Sequence, residues 1–296
     1  MGACDPGQPA NGVAPPLKDV QEETYEGPVQ FGPYRLEELI NRGGASEIWL
    51  ARDGERKSVA IRRLMNVSRL NFTERGRFFH GCEVLQKLQG SNLIIGYLDH
   101  GRIEGRPFLA MEYVEASNLK LLLARADDLL QDYLGNLLID AARALEYVHD
   151  NAYMHLDVKP ENYLVSRNAN LKLIDFDLAQ PRPEKPRRAS RNPGTPAYMS
   201  PEQLQRLPFD HRADIFAFGV VAYELVTLEK PFPGQSPDEI LARQLNRVDF
   251  LTPRQINESV PAELERIILK CLETDPDQRY PFQSVVVRDL ERALYV

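Results

Sequence analysis

The chain has 296 residues, 43% of them apolar and 27% charged, an ordinary globular composition long enough for a large core and for about two domains or lobes. Lys and Arg number 36 against 43 Asp and Glu, and the net charge of −7 argues against a dedicated nucleic-acid binder, whose footprint is basic. Cys4, Cys82 and Cys271 form no CxxC pair and no disulfide framework, no apolar run reaches the ~18 residues of a membrane span, and no basic start precedes an apolar core; the expectation is a cytoplasmic chain. Met1-Gly2-Ala3-Cys4 begins like a myristoylation signal, but Pro6 stands where that signal wants Ser or Thr.

Residues 1–30 read as a disordered Pro/Gly-rich tail without apolar period. Strand-like runs follow at Tyr34 to Ile40, Glu47 to Ala51 and Ser58 to Leu64, broken by turn signals at Gly43-Gly44 and Asp53-Gly54. A helix is expected at about 74–89, then strands at Ile94 to His100 and Pro107 to Tyr113. Helical periodicity fits 119–130, 132–150, 211–228, 237–246 and 261–272. A β-rich part followed by an α-rich part is the pattern of a two-lobed α+β chain. Pro181 to Pro201, with six prolines and a run of basic residues, reads as a long loop.

The most informative segment is His155-Leu156-Asp157-Val158-Lys159-Pro160-Glu161-Asn162, followed thirteen residues later by Asp175-Phe176-Asp177. Gly194-Thr195-Pro196-Ala197-Tyr198-Met199-Ser200-Pro201-Glu202, Asp214 to Gly219, and Asp275-Pro276 with Arg279 come after, in that order. In order and spacing these motifs resemble the eukaryotic-type Ser/Thr protein kinases, including bacterial ones, over Tyr34 to Val296. The resemblance implies a bilobal kinase fold at 31–296, a β-rich N-lobe at 31–114 and an α-helical C-lobe at 115–296. It implies ATP and Mg²⁺ as cofactors and a protein substrate or regulatory partner that the sequence does not identify. Asp157 would orient the acceptor hydroxyl, Lys159 would sit near the γ-phosphate, and Asn162 and Asp175 would hold Mg²⁺ through oxygen ligands. Ile40, Gly43, Gly44, Ile48, Ala60, Arg62, Met111, Glu112, Val114 and Leu164 take the nucleotide-binding positions, with Met111 as gatekeeper and Glu112 to Val114 as hinge. Thr195 matches the threonine that contacts the catalytic loop. His155, Phe176, Asp214 and the pair Glu202–Arg279 match structural positions.

The chain departs from the family at several of these motifs. Val59-Ala60-Ile61-Arg62 carries Arg where the family has Lys, and the two are not interchangeable. The partner Glu of the following helix falls at Gly81. The inward stripe Phe78, Gly81, Leu85, Leu88 puts Glu83 ~200° away, on the solvent side. Asn41 to Ser46 keeps only the middle glycine of the Gly-rich loop, and Asn41 is expected to support the turn through its tolerance of positive φ. Leu156 replaces the Arg that reads a loop phosphate, although Arg187-Arg188-Ala189-Ser190 has the spacing of a basic-directed phosphorylation site. Asp177 replaces a Gly, with a stiffer loop, a third carboxylate near the metal and a solvent-facing side chain all open. Read this way, the chain is a kinase-like domain binding ATP and Mg²⁺ with weak or absent phosphoryl transfer, a pseudokinase-like regulator. The alternative is an active but atypical kinase that uses Arg62.

Overall fold

The computed structural model describes residues 28–65, 72–188 and 194–294; most of the expected tail, Cys4 and Ser190 lie outside them. Strands β1 (Val29–Phe31), β2 (Tyr34–Arg42), β3 (Ser46–Arg52) and β4 (Ser58–Leu64), then helix α1 (Phe72–Lys87), then β5 (Tyr97–Ile103) and β6 (Arg106–Glu112) build the first lobe. Its six-stranded sheet has the order β1-β2-β3-β4-β6-β5, antiparallel throughout. Strand β1 begins at Val29, inside the expected tail, because Val29 and Phe31 pack onto the outer face of the sheet.

Period-two alternation divides β3 and β4 between two faces. Trp49, Ala51, Val59 and Ile61 join Phe31, Leu36 and Phe108 in an outer cluster. Cross-strand pairing puts Ser46 opposite Leu64, Ile48 opposite Arg62 and Leu50 opposite Ala60 on the inner face. That face looks onto α1 and the second lobe. The β5–β6 hairpin closes on Glu104-Gly105 with φ of 52° and 78°, the doubly left-handed turn that suits the twist of paired strands. At β2 the register slips by one residue between Leu39 and Asn41, so Ile40 sits in a bulge. Asn41 lies in the strand with negative φ, so the expected left-handed turn residue is not there.

The second lobe comprises β7 (Ala116–Asn118), α2 (Leu119–Arg125), α3 (Asp128–Asp150), β8 (Tyr153–Met154), β9 (Tyr163–Ser166), β10 (Leu171–Leu173), β11 (Gln180–Pro181), α4 (Pro201–Leu204), α5 (Arg212–Thr227), α6 (Pro237–Asn246), α7 (Pro253–Ile256), α8 (Ala262–Cys271) and α9 (Gln283–Leu294). The helix expected over 119–130 stops at Arg125. Ala126 is left-handed (φ 45°), and the Asp127 carboxylate caps a new helix by accepting from Leu129 N–H. Helix α5 is buried on nearly every side and forms the axis of this lobe. Helix α9, absent from the expected elements, buries Gln283, Val286, Val287 and Leu290 against α3.

The lobes are joined along residues 93–96 as well as through the hinge. Leu173 N–H donates to Leu93 C=O (2.7 Å) and Ile95 N–H to Leu173 C=O (3.1 Å). Glu112 accepts from Gly96 N–H (2.6 Å) and pairs with Lys172 (2.6 Å). The cleft between the lobes therefore has a fixed back wall.

Candidate active site

The segment between β8 and β9 is held from beneath by one buried carboxylate. Asp214, in the first turn of α5, accepts from His155 N–H and Leu156 N–H (both 2.8 Å) and from His149 Nε2 (2.9 Å). Burial opposes its charge, but the histidines and these hydrogen bonds hold its carboxyl below the usual carboxylate range. Held this way, Leu156 adopts φ 61°, a strained value for a residue with a Cβ. The turn delivers Asp157 into the cleft. Lys159 Nζ donates to Asp157 Oδ2 (2.6 Å) and Thr195 Oγ1 (3.2 Å). Asn162 Nδ2 donates to Asp157 C=O (2.7 Å) and Oδ2 (3.1 Å), which leaves its amide oxygen as a donor atom for a hard cation. Thr195 Oγ1 lies 3.2 Å from Lys159 Nζ and 3.5 Å from Asp157 Oδ1.

Arg62 reaches across the cleft from β4. Its Nη1 donates to Asp177 Oδ1 (3.0 Å) and Asp175 Oδ1 (3.3 Å), and its Nη2 to Asp177 Oδ2 (2.7 Å). Its Nε lies 3.4 Å from Ser46 Oγ, and its guanidinium sits 5.3 Å from the centre of the Phe78 ring. Burial disfavours the Arg62 cation, but the two carboxylates outweigh it and raise its pKa. Burial likewise opposes charge on Asp175, yet Arg62 and His155 hold it below the usual range. At Asp177 burial prevails over Arg62 and, with the Asp175 charge alongside, pushes the carboxyl up. Two carboxylates around one guanidinium leave a net negative site, the charge that suits a divalent cation.

Glu83 is exposed and Gly81 is buried, as the helix stripe implies. No carboxylate of α1 meets Arg62; the acids facing it are Asp175 and Asp177, both from the loop after β10. Of the meanings left open for Asp177, solvent exposure is excluded, since its side chain is 21% accessible and doubly bonded to Arg62. The sequence holds a signal for this contact, namely Lys, Glu and Gly all changed together, but spacing alone does not say that the new acid meets the new base.

The remaining expected positions fall on the first-lobe strands, the β2–β3 turn, the linker after β6 and β9. Ala60 and Met111 are buried opposite one another on β4 and β6, and Ile48 stands beside Arg62. Leu164 lies on β9, and Glu112 to Val114 connect the lobes. Gly43 and Gly44 form the β2–β3 turn, closed by Gly43 N–H to Ser46 C=O (2.8 Å). Ile40, on its bulge, is 48% exposed. His155 and Phe176 stack edge to face at 5.0 Å. Arg279 holds Glu202 through two hydrogen bonds of 2.7 Å, both side chains buried. Leu156 packs with Met154, Phe209 and Ala213 where a phosphate-reading Arg is absent. The neighbouring segment is tied by paired backbone bonds between Arg187 and Phe209 (both 3.1 Å).

A family model for the protein kinase domain matches residues 34–290. A probable serine/threonine-protein kinase of Clostridium perfringens is 30% identical over 261 residues, 88% of this chain and 38% of the relative. Another of Streptomyces coelicolor is 30% identical over 273 residues, 89% of this chain and 40% of the relative. The serine/threonine-protein kinase PknB of Mycobacterium leprae is 30% identical over 266 residues, 88% of this chain and 42% of the relative. The chain belongs to the protein kinase family, and it spans about two fifths of the length of these bacterial relatives.

Proposed function

We propose that this chain is a Ser/Thr protein kinase domain that binds ATP with Mg²⁺ in the interlobe cleft and transfers phosphoryl groups slowly to protein hydroxyls, with Arg62 in the place of the usual Lys. The observation that carries the reading is the convergence of Asp157, Lys159, Asn162 and Asp175 with a paired Arg62 in one cleft. The donor set fits the metal. Asn162 offers its amide oxygen, and Asp175 Oδ2 makes no hydrogen bond among the described residues. Mg²⁺ held there would neutralise phosphate charge. Asp157 orients the acceptor hydroxyl, Lys159 steadies Asp157 and the γ-phosphate, and Gly43 and Gly44 cover the phosphates. Ile40, Ile48, Ala60 and Leu164 would enclose adenine, with Met111 as gatekeeper and Glu112 and Val114 at the hinge.

A second reading, a nucleotide-binding regulator without transfer, is favoured by how fully Arg62 is engaged. Of its five N–H donors, four are directed at Ser46, Asp175 and Asp177, and one on Nη2 remains for phosphate. Both readings require nucleotide binding. Millimolar ATP with Mg²⁺ is expected to raise Tm by several degrees, more than ATP alone, since a ligand that binds only the folded state stabilises it by mass action. Asp175→Asn is expected to erase the Mg²⁺-dependent part. No shift in the wild type removes both readings.

A further inference from the structure

Four departures from the family pattern, Ser46, Arg62, Gly81 and Asp177, lie far apart in sequence and meet at one point in space. We propose that Asp177 is the positioning carboxylate for Arg62 and that Gly81 is the seat that admits it. The acidic partner of the β4 cation has moved from helix α1 to the loop that carries Asp175. The consequence for phosphate placement rests on the nucleotide-binding reading above; the pairing itself does not.

Two geometric facts carry the argument. Both oxygens of Asp177 accept from Arg62, a two-pronged contact that a planar guanidinium makes and an ammonium does not. The second fact is steric. A Cβ on Gly81 would lie 2.6 Å from Asp177 Oδ1, 2.8 Å from Asp177 N and 2.9 Å from Asp177 Cα. Two of those atoms are backbone, so the loop itself has to shift, a shift that the Asp177–Arg62 pair holds against and that Asp177→Gly, released from Arg62, permits. Any side chain at position 81 is thus incompatible with Asp177 where it stands. Helix and loop are further tied by His80 Nε2 to Ala179 C=O (2.8 Å), one residue from Gly81, and Phe78, one turn before, supports the guanidinium. Helix α1 therefore contributes shape and no charge to the pair. The loop, not the helix, sets where Arg62 points.

Restoring the family residue at one position is then harmful rather than corrective. The test uses the full chain and two cycles read by thermal and urea unfolding without nucleotide. In the first, Gly81→Glu is made in the wild type and in Asp177→Gly. It is expected to lower Tm in the wild type and to raise it in Asp177→Gly, where the helix Glu can take up Arg62. In the second, Arg62→Met and Asp177→Asn are combined, in case a variant of the first cycle does not fold. Their effects on the unfolding equilibrium are expected to depart from additivity by about tenfold or more, as contacting groups do. A third readout separates positioning from simple packing. Affinity for a fluorescent ATP analogue, measured well below Tm, is expected to fall about tenfold in Asp177→Asn, with recovery in Asp177→Gly/Gly81→Glu. Gly81→Glu acting with the same sign in both backgrounds, or additivity within threefold in the second cycle, overturns the proposal. If the wild type binds no nucleotide while both cycles show coupling, the kinase reading fails and the pairing stands.

Discussion

Asp214 shows how much one buried charge can organise. It fixes two successive backbone N–H groups and thereby holds Leu156 in a left-handed conformation that the sequence does not favour. Asp214→Asn removes the charge that these donors are arranged around. A loss of about 3 kcal/mol in urea unfolding at neutral pH is expected, the scale of a broken buried charge interaction. The pH dependence has a definite sign. The folded carboxyl is held below its ordinary value of 3.8, so its contribution is complete above that value and fades as pH falls through the folded pKa. The stability gap between wild type and Asp214→Asn is expected to be widest near neutrality and to close below about pH 4. A gap independent of pH contradicts this assignment.

At the scale of elements, the segment after β11 lies beside an apolar cluster and is tied by backbone hydrogen bonds. Leu156, Met154, Phe209 and Ala213 form a closed cluster, and Arg187 and Phe209 exchange backbone hydrogen bonds. Leu156→Arg is expected to destabilise by about 3 kcal/mol, measured by urea unfolding, because it puts an unpaired cation among these side chains. An unchanged midpoint means that the cluster is not closed in solution. Strands β2, β3, β4 and β6 and the long helices were legible from alternation and 3.6-residue period, and β4 spans Ser58–Leu64 as expected, whereas the strand expected at Ile94 to His100 runs from Tyr97 to Ile103 and the short strands β1 and β7 to β11 were not read. The break at Ala126 was not legible: no Gly or Pro marks it, and Asp127 acts as a cap only once Ala126 turns left-handed. Helix α9 was missed although Val286, Val287 and Leu290 share one face. Its buried stripe begins with Gln283, a polar residue that periodicity does not count.

For the whole molecule, the two lobes come together so that charges from β4, the β8–β9 segment and the loop at Asp175 occupy one cleft. Their motifs were legible because each is local. The Arg62–Asp177 contact was not, because it spans 115 residues and replaces a partner expected on α1. The charge that matters is also local, and the −7 of the whole chain conceals it. Among the described residues no helix is long and apolar enough to cross a membrane. The account as a whole is tested most directly by transfer of labelled phosphate from ATP to a generic basic protein substrate, comparing wild type with Asp157→Ala. The wild type is expected to label Ser or Thr in a Mg²⁺-dependent way, with a fall of about 100-fold or more in Asp157→Ala. No labelling by the wild type, or equal labelling by Asp157→Ala, contradicts it.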